Sequence, residues 1–204
     1  SIDETYKLLV GKVSIARNHC NEAVIPLQEP TTDRRINLIV RVFNDGVAFR
    51  YEFPEQKGWN SYVMYDEKTQ FNLSSNPKTL LMYLPGYANT HLMKEENKLI
   101  GKLSPHLGQE KVKVEVETFP HNTPWRVISI ADRIGALLET NILTSLNEPC
   151  KLEDTSWIKP CRTTFTWWNG NVVPDSTFSP GNNFDTNKYY IDFAARNGLD
   201  AHGI

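Results

Sequence analysis

Trp167, Trp168 and Asn169 are the residues of this sequence that we expect to bind a ligand. An indole offers a broad apolar face on which the C–H face of a sugar ring can stack, whereas an amide can bond to hydroxyl groups. If the segment is a strand, alternation points the two indoles in opposite directions. The alternative is that both tryptophans pack inside the protein and bind nothing.

The carboxylates and histidines show no pattern typical of a catalytic or metal site. Asp192 lies on an otherwise apolar helical stripe, which favours a capped or paired structural role, and Asp154 and Asp175 lie in predicted loops. Histidine ligands of a metal normally recur at short, fixed spacing. Such spacing does not occur among His91, His106, His121 and His202, so we predict no metal site from them.

The composition excludes the function classes that depend on a charged surface. The 204 residues, 40% of them hydrophobic, can bury a sizeable core. They include 22 basic and 24 acidic side chains with no basic cluster, so the footprint of a nucleic-acid or anionic-membrane binder is missing. We expect a soluble chain with neutral partners, although a removed export signal would leave no trace. The odd number and wide spacing of Cys20, Cys150 and Cys161 predict free thiols.

Short runs of β-branched and aromatic residues, broken by Pro, Asn, Asp and Gly, predict antiparallel strands up to about residue 130. The predicted strands are KLLVGKVSI, INLIVRVFN, GVAFRYEF, SYVMYDE, TLLMYLP, KVKVEVETF and WRVISIAD. Between the second and third, Asn44-Asp45-Gly46 predicts a hairpin, because Asp and Gly tolerate the positive φ of a tight turn. Arg50 and Glu52 share one face of the third strand, as a partly exposed ion pair or at a domain contact.

The hydrophobic period changes after about residue 130. Three- and four-residue spacing predicts a helix whose apolar stripe is Ile134, Leu137, Leu138, Ile142, Leu143 and Leu146. After a polar link, TTFTWWNG predicts a strand and FDTNKYYIDFAARNGLD a helix, capped by Asp185 or Thr186 and stopped at Asn197-Gly198. A strand, a loop and a helix form the first unit of a βα repeat, whose strand normally needs parallel neighbours. Trp125 and Arg126, in the last predicted strand before the helix, are best explained by packing and a domain contact.

Five segments together resemble glycoside hydrolase family 97: NLIVRVFNDGVAFRYEFPEQ, TPWRVISIAD, TNILTSLNEP, DTSWIKP with TFTWWNG, and NKYYIDFAARNGLD. The resemblance implies a mainly β fold with a large antiparallel β-sandwich at 1–130, a helical linker at 131–156, and the start of a catalytic (β/α)8 barrel at 157–204. It implies a bacterial α-glycosidase, periplasmic or secreted, that removes terminal α-linked glucose or galactose from oligosaccharides. Trp167, Trp168 and Asn169 would then lie where such barrels bind substrate.

The resemblance also indicates what the chain lacks. The catalytic carboxylates of the family would follow Ile204, so we carry over no catalytic residue and expect the isolated chain to be inactive, with the remaining barrel in a longer parent protein. The family also holds calcium through a glutamate that has no equivalent here. Glu95 and Glu96 are weak stand-ins, so the residues of this chain do not support calcium. A noncatalytic carbohydrate-binding or interaction β-sandwich is the alternative function.

Overall fold

The computed structural model describes residues 1–72, 80–83, 89–105, 108–174 and 177–203. In these residues the fold is mainly β, and its large sheet is antiparallel, as expected for the N-terminal sandwich of the family. None of the described helices is both long and apolar enough to cross a membrane.

The chain divides into two compact units. Unit 1 contains residues 1–8 and 12–149, and unit 2 contains residues 9–11 and 150–204. The domain boundaries that the resemblance implies, after residues 130 and 156, stay a prediction.

The described elements are short and mostly extended. The strands are, in chain order, β1 Ile2–Lys7, β2 Ile15–Gln28, β3 Arg35–Phe43, β4 Gly46–Phe53, β5 Tyr62–Met64, β6 Gln70–Asn72, β7 Leu80–Tyr83, β8 Asn89–Glu95, β9 Lys98–Ser104, β10 Val114–Val116, β11 His121–Asn122, β12 Arg126–Ser129, β13 Thr163–Phe165 and β14 Ala201–Gly203. The helices are α1 Ile134–Glu139, α2 Ile142–Ser145 and α3 Phe184–Arg196, with a 3-10 turn at Thr166–Asn169.

The large sheet of unit 1 has the order β1-β2-β3-β4-β12-β7, with β11 also beside β4. Strand β2 serves two neighbours, because residues 15–20 pair with β1 and residues 21–28 pair with β3. A three-stranded sheet, β6-β9-β8, and the pair β10-β5 are the other described sheets of unit 1.

The predicted strand KLLVGKVSI is wrong, because most of it forms the connection between β1 and β2. The first half of β2 alternates strictly, with Ala16, Asn18 and Cys20 buried. A polar residue on the buried face conceals that alternation in the sequence. The Asn18 amide is satisfied by donating to Glu4 Oε1 at 2.8 Å, so burial of the amide is tolerated.

The predicted hairpin between β3 and β4 is confirmed, but the reason given for its turn is not. Phe43 pairs with Gly46, which leaves Asn44 and Asp45 as a two-residue connection. None of these turn residues has a positive φ. Gly46 is required for a different reason, since a Cβ there would lie 2.4 Å from the carbonyl oxygen of Ile128 on β12.

The core of unit 1 lies where β3, β4 and β12 meet α2. Its buried members are Ile39, Ala48, Trp125, Val127, Ile142 and Leu146. The single predicted helical stripe is wrong, because Thr140 is extended and separates α1 from α2. The Thr140 hydroxyl donates to Asp45 Oδ2 at 2.6 Å and accepts from the Ile142 amide at 3.2 Å. The α2 end of the stripe is therefore buried, whereas Ile134 and Leu138 in α1 are exposed.

The predicted packing role of Trp125 and Arg126 is confirmed, since both are buried. The Trp125 ring contacts two guanidinium groups, with Arg41 4.9 Å and Arg50 4.5 Å from its ring centroid. On the opposite face of the sheet, Arg126 forms an ion pair with Glu67. Both faces of this part of the sheet are therefore covered.

The expected pairing of Arg50 with Glu52 is wrong. Arg50 Nη1 donates to Glu148 Oε1 at 2.8 Å, just after α2. Glu52 instead accepts from Asn37 Nδ2 at 2.8 Å, across the β3–β4 pair. The guanidinium therefore connects the sheet to the segment that leaves α2.

The cysteines are free thiols, as predicted. Cys20 is buried, whereas Cys150 and Cys161 are exposed. Burial raises the pKa of the Cys20 thiol, which keeps it protonated.

Unit 2 contains a parallel βαβ unit, in which α3 connects β13 to β14. The predicted cap at Asp185 or Thr186 is wrong, because Asn183 is the N-cap and its side chain accepts from the Thr186 amide. The predicted stop is confirmed, with Asn197 as the C-cap and Gly198 at a φ of 64°. That this unit begins a (β/α)8 barrel stays a prediction.

Candidate functional site

The candidate site lies just beyond the carboxyl end of β13, where parallel sheets commonly bind ligands. Trp167, Trp168 and Asn169 lie in the 3-10 turn that follows Phe165, the last residue of the strand. The expectation that the tryptophans close the strand itself is therefore wrong. Strand alternation does not govern where their side chains point.

Both indoles are largely exposed in the described structure. Trp167 is 71% exposed and Trp168 is 82% exposed, although the Trp167 ring has its centroid 6.0 Å from that of Phe165. Neither indole is packed in the interior of unit 2. The two rings are thus available as apolar surfaces, which is the property that a sugar-stacking residue needs.

Asn169 is held by a tyrosine of α3. Its Nδ2 donates to the Tyr190 hydroxyl at 2.9 Å, and that hydroxyl donates to the carbonyl oxygen of Val172. Between these two anchors Gly170 and Asn171 have φ values of 73° and 60°, in the left-handed region. The chain therefore reverses tightly after Asn169, and Tyr190 holds both sides of the reversal.

Tyr190 is in turn positioned by β14, the second strand of the βαβ unit. Its ring stacks on the imidazole of His202 in β14, with centroids 6.0 Å apart and an interplanar angle of 6°. His202 Nδ1 lies 2.7 Å from Thr164 Oγ1, and its Nε2 lies 2.9 Å from Asn187 Oδ1. A continuous set of contacts thus runs from β13 and β14 through α3 to the turn.

The sequence pattern did not identify Tyr190, Asn187 or His202 as supports of the site. A signal was available in α3, because Asn183, Asn187, Tyr190 and Ala194 recur at intervals of four, three and four residues. That spacing places them on one face of the helix. The aromatic ring in the set makes it look like an ordinary apolar stripe.

The described carboxylates of unit 2 include three with structural partners. Asp192 forms the predicted structural pair, accepting from Lys188 Nζ at 2.7 Å, and this bond lowers the pKa of the Asp192 carboxyl. Asp154 accepts from the Ser156 amide at 2.8 Å, which lowers its pKa too. Asp200 accepts from the Arg162 amide at 2.9 Å. Asp175 lies outside the described residues.

The described residues contain no group of three or more His, Cys, Asp or Glu side chains that could hold a metal ion. Glu95 and Glu96 do not fit a calcium site, because both are exposed at the β8–β9 turn and Glu95 faces Lys98 in the register. His106 and the side chain of His91 lie outside the described residues.

A hollow of about 430 Å³ lies in unit 1, beside the β3–β4 turn. Three of its charged side chains already have partners, since Arg17 bonds to Asp3, Glu139 to Arg133 and Asp45 to Thr140. We therefore regard the turn after β13 as the stronger candidate.

Comparisons with known proteins identify the family. The model of the N-terminal domain of glycosyl hydrolase family 97 matches residues 1–98 and 82–149, so the match ends where unit 1 ends. The chain belongs to glycoside hydrolase family 97. The resemblance seen in the sequence is thereby confirmed.

Family 97 relatives are enzymes much longer than this chain. A retaining α-galactosidase of Bacteroides thetaiotaomicron is 38% identical over 81 residues, covering 40% of this chain and 12% of the relative. A probable retaining α-galactosidase of Streptomyces bingchenggensis is 24% identical over 200 residues, covering 80% of this chain and 30% of the relative. The chain thus spans less than a third of either relative.

Solved structures with a similar fold are also much longer than this chain. A family 97 enzyme from Pseudoalteromonas sp. strain K8, in complex with acarbose, superimposes with a TM-score of 0.74 at 23% identity. The match covers 98% of this chain and 37% of that enzyme. A β-arabinopyranosidase matches with a TM-score of 0.66 at 21% identity, covering 98% of this chain and 40% of the enzyme.

Proposed function

We propose that this chain is the N-terminal part of a family 97 glycoside hydrolase that removes terminal α-linked galactose or glucose from oligosaccharides. One observation carries the proposal: the family match spans residues 1–149, and a parallel βαβ unit follows it. The curated relatives are named as retaining α-galactosidases, which makes an α-galactoside the first substrate to test. A solved relative holds acarbose, which supports an oligosaccharide as the partner.

In this proposal Trp167, Trp168 and Asn169 contact the substrate. A sugar ring can stack on an exposed indole, while the neighbouring amide bonds to a hydroxyl group. The position of the turn, beyond the end of a parallel strand, supports this role. The parent barrel would complete the binding site around them.

The same proposal assigns hydrolysis to residues of the parent protein that are not among the 204 residues of this sequence. Most glycoside hydrolases need two carboxyl groups about 5 to 10 Å apart across the scissile bond. Asp154, Asp192 and Asp200 are each engaged in local structural bonds, so they are poor members of such a pair. We assign no step to calcium, because the residues that the structure describes include no group of three or more His, Cys, Asp or Glu side chains that could hold a metal ion.

The natural full-length protein and the 204-residue chain should be assayed side by side with nitrophenyl α-galactoside and nitrophenyl α-glucoside. We expect the full-length protein to release nitrophenol from at least one substrate and the chain alone to release none. Turnover by the chain alone at ordinary enzyme rates would overturn the assignment of catalysis to other residues. If the full-length protein is inactive yet binds melibiose or maltose in calorimetry, a noncatalytic module replaces the enzyme.

We also propose, from the family resemblance, that the parent protein is periplasmic or secreted. Fractionation of the source cells with an antibody against unit 1 tests this. Detection in the cytoplasmic fraction alone would contradict it.

A further inference from the structure

We propose that Asn169 Oδ1 accepts a hydrogen bond from a sugar hydroxyl, and that Tyr190 is the positioning residue that turns this oxygen toward the ligand. The inference rests on the proposed function and adds to it a direction for the hydrogen bond. It also gives a role to a residue that does not itself contact substrate.

The direction follows from counting protons at the Tyr190 hydroxyl. A phenol has one proton to donate. A backbone carbonyl can only accept, so the bond to Val172 uses that proton. The side chain of Asn169 must therefore donate to Tyr190, which identifies its nearer atom as Nδ2. Its Oδ1 is then left on the other side of the amide.

This oxygen is available to a ligand. Asn169 is exposed, and in the part of the chain that the structure describes no hydrogen bond reaches its Oδ1. An amide oxygen accepts hydrogen bonds and cannot donate them. The site therefore favours a neutral ligand with a hydroxyl beside its apolar face, as a sugar ring stacked on Trp167 or Trp168 would have.

Tyr190 can hold this orientation because its own surroundings are fixed. Asn187 Nδ2 donates to the Asn183 carbonyl at 2.9 Å, so Asn187 Oδ1 faces His202 and accepts from its Nε2. His202 Nδ1 then accepts from the Thr164 hydroxyl. With both ring nitrogens bonded, the imidazole is a fixed surface on which the Tyr190 ring stacks.

The test uses the full-length protein with Asn169→Ala, Tyr190→Phe and the double variant. Loss of one hydrogen bond should raise KM for the preferred nitrophenyl glycoside about threefold to tenfold in each single variant, with a smaller change in kcat. The double variant should be no worse than Asn169→Ala, because Tyr190 reaches the ligand through Asn169, while its bond to Val172 anchors the far side of the reversal. Tyr189→Phe is the matched control and should leave KM unchanged.

A purely structural role for Tyr190 predicts a different result. Its effect would then add to that of Asn169→Ala, or KM would stay at the wild-type value, and either outcome overturns the proposal. Unchanged KM in Asn169→Ala also overturns it while leaving the glycosidase function intact. If the wild-type protein hydrolyses neither substrate, the same variants are compared by tryptophan fluorescence during titration with melibiose and maltose. Equal affinities in that titration, or no binding at all, overturn the proposal.

Discussion

The two units use tryptophan in opposite ways. In unit 1, Trp125 is 3% exposed and its ring lies against the guanidinium groups of Arg41 and Arg50. In unit 2, Trp167 and Trp168 are more than 70% exposed and follow directly on a strand end. The residue type is the same, so its surroundings decide whether the indole is buried in the core or exposed to solvent.

Ion pairs differ in the same manner. Arg126 and Glu67 in unit 1 are almost fully removed from solvent, with 1% and 9% of their side chains exposed. Lys188 and Asp192 in unit 2 are one turn apart on an exposed face of α3. A buried pair is costly to break because the remaining charge has no partner, whereas an exposed pair is screened by water.

The largest expected effect tests that contrast. Arg126→Met leaves Glu67 buried without its cation and should lower the free energy of unfolding of unit 1 by about 3–5 kcal/mol. Lys188→Met is the matched control and should leave the urea midpoint unchanged within error. Urea denaturation followed by circular dichroism measures both. Equal shifts in the two variants would remove the distinction between the units.

The next effect concerns which helix belongs to the core of unit 1. Ile142→Ala should create a cavity and cost about 2–5 kcal/mol, since the side chain is 2% exposed in the cluster around Trp125. Ile134→Ala in α1 is the control, because that side chain is 66% exposed. It should change stability by less than about 0.5 kcal/mol. Similar losses from the two substitutions would mean that α1 is packed as tightly as α2.

A smaller effect is expected at the start of α3 in unit 2. Asn183→Ala removes the side chain that accepts from the Thr186 amide and should cost about 1 kcal/mol. Asp185→Ala, at the position that the sequence suggested as a cap, should cost less. Thermal unfolding of the two variants decides between the positions. A greater loss at Asp185 would contradict the observed cap.

The smallest effect depends on pH and belongs to unit 1. Burial lowers the pKa of His121, so the unfolded chain takes up a proton at higher pH than the folded chain does. The contribution of His121 to stability is therefore fully present above about pH 6.5 and is lost as the pH falls below that value. The urea midpoint of the wild type should decrease as the pH is lowered from 7.5 to 5.5. In His121→Phe this decrease should be smaller. An equal decrease of the urea midpoint in the two proteins would exclude His121 as the source of the pH dependence.

Local patterns predicted the parts of the fold that local physics determines. The positions of the β3–β4 hairpin and of the α3 stop at Asn197-Gly198 follow from Asn, Asp and Gly residues that the sequence shows directly, although the hairpin turn uses no positive φ. The requirement for Gly46 could not be predicted in the same way, because it comes from the approach of Ile128, 82 positions away. The break at Thr140 likewise depends on a bond to Asp45 across the fold.

The candidate site divides along the same line. The chemistry of Trp167, Trp168 and Asn169 was visible in their side chains. The turn that presents them was not, because it depends on Tyr190, which is 21 residues from Asn169 and becomes its neighbour only when α3 packs on the parallel strands. Sequence patterns identify groups able to bind, whereas the groups that orient them emerge from tertiary packing.

The placement of the three thiols has a practical consequence for observing the molecule. Cys150 and Cys161 are exposed in unit 2, and Cys20 is buried in unit 1. A maleimide in excess would react quickly with Cys150 and Cys161. It would react with Cys20 only after the large sheet of unit 1 had opened. Mass spectrometry of the maleimide adduct at Cys20 would then measure the rate at which unit 1 opens, after the two thiols of unit 2 have already reacted. No cysteine has to be introduced by mutation.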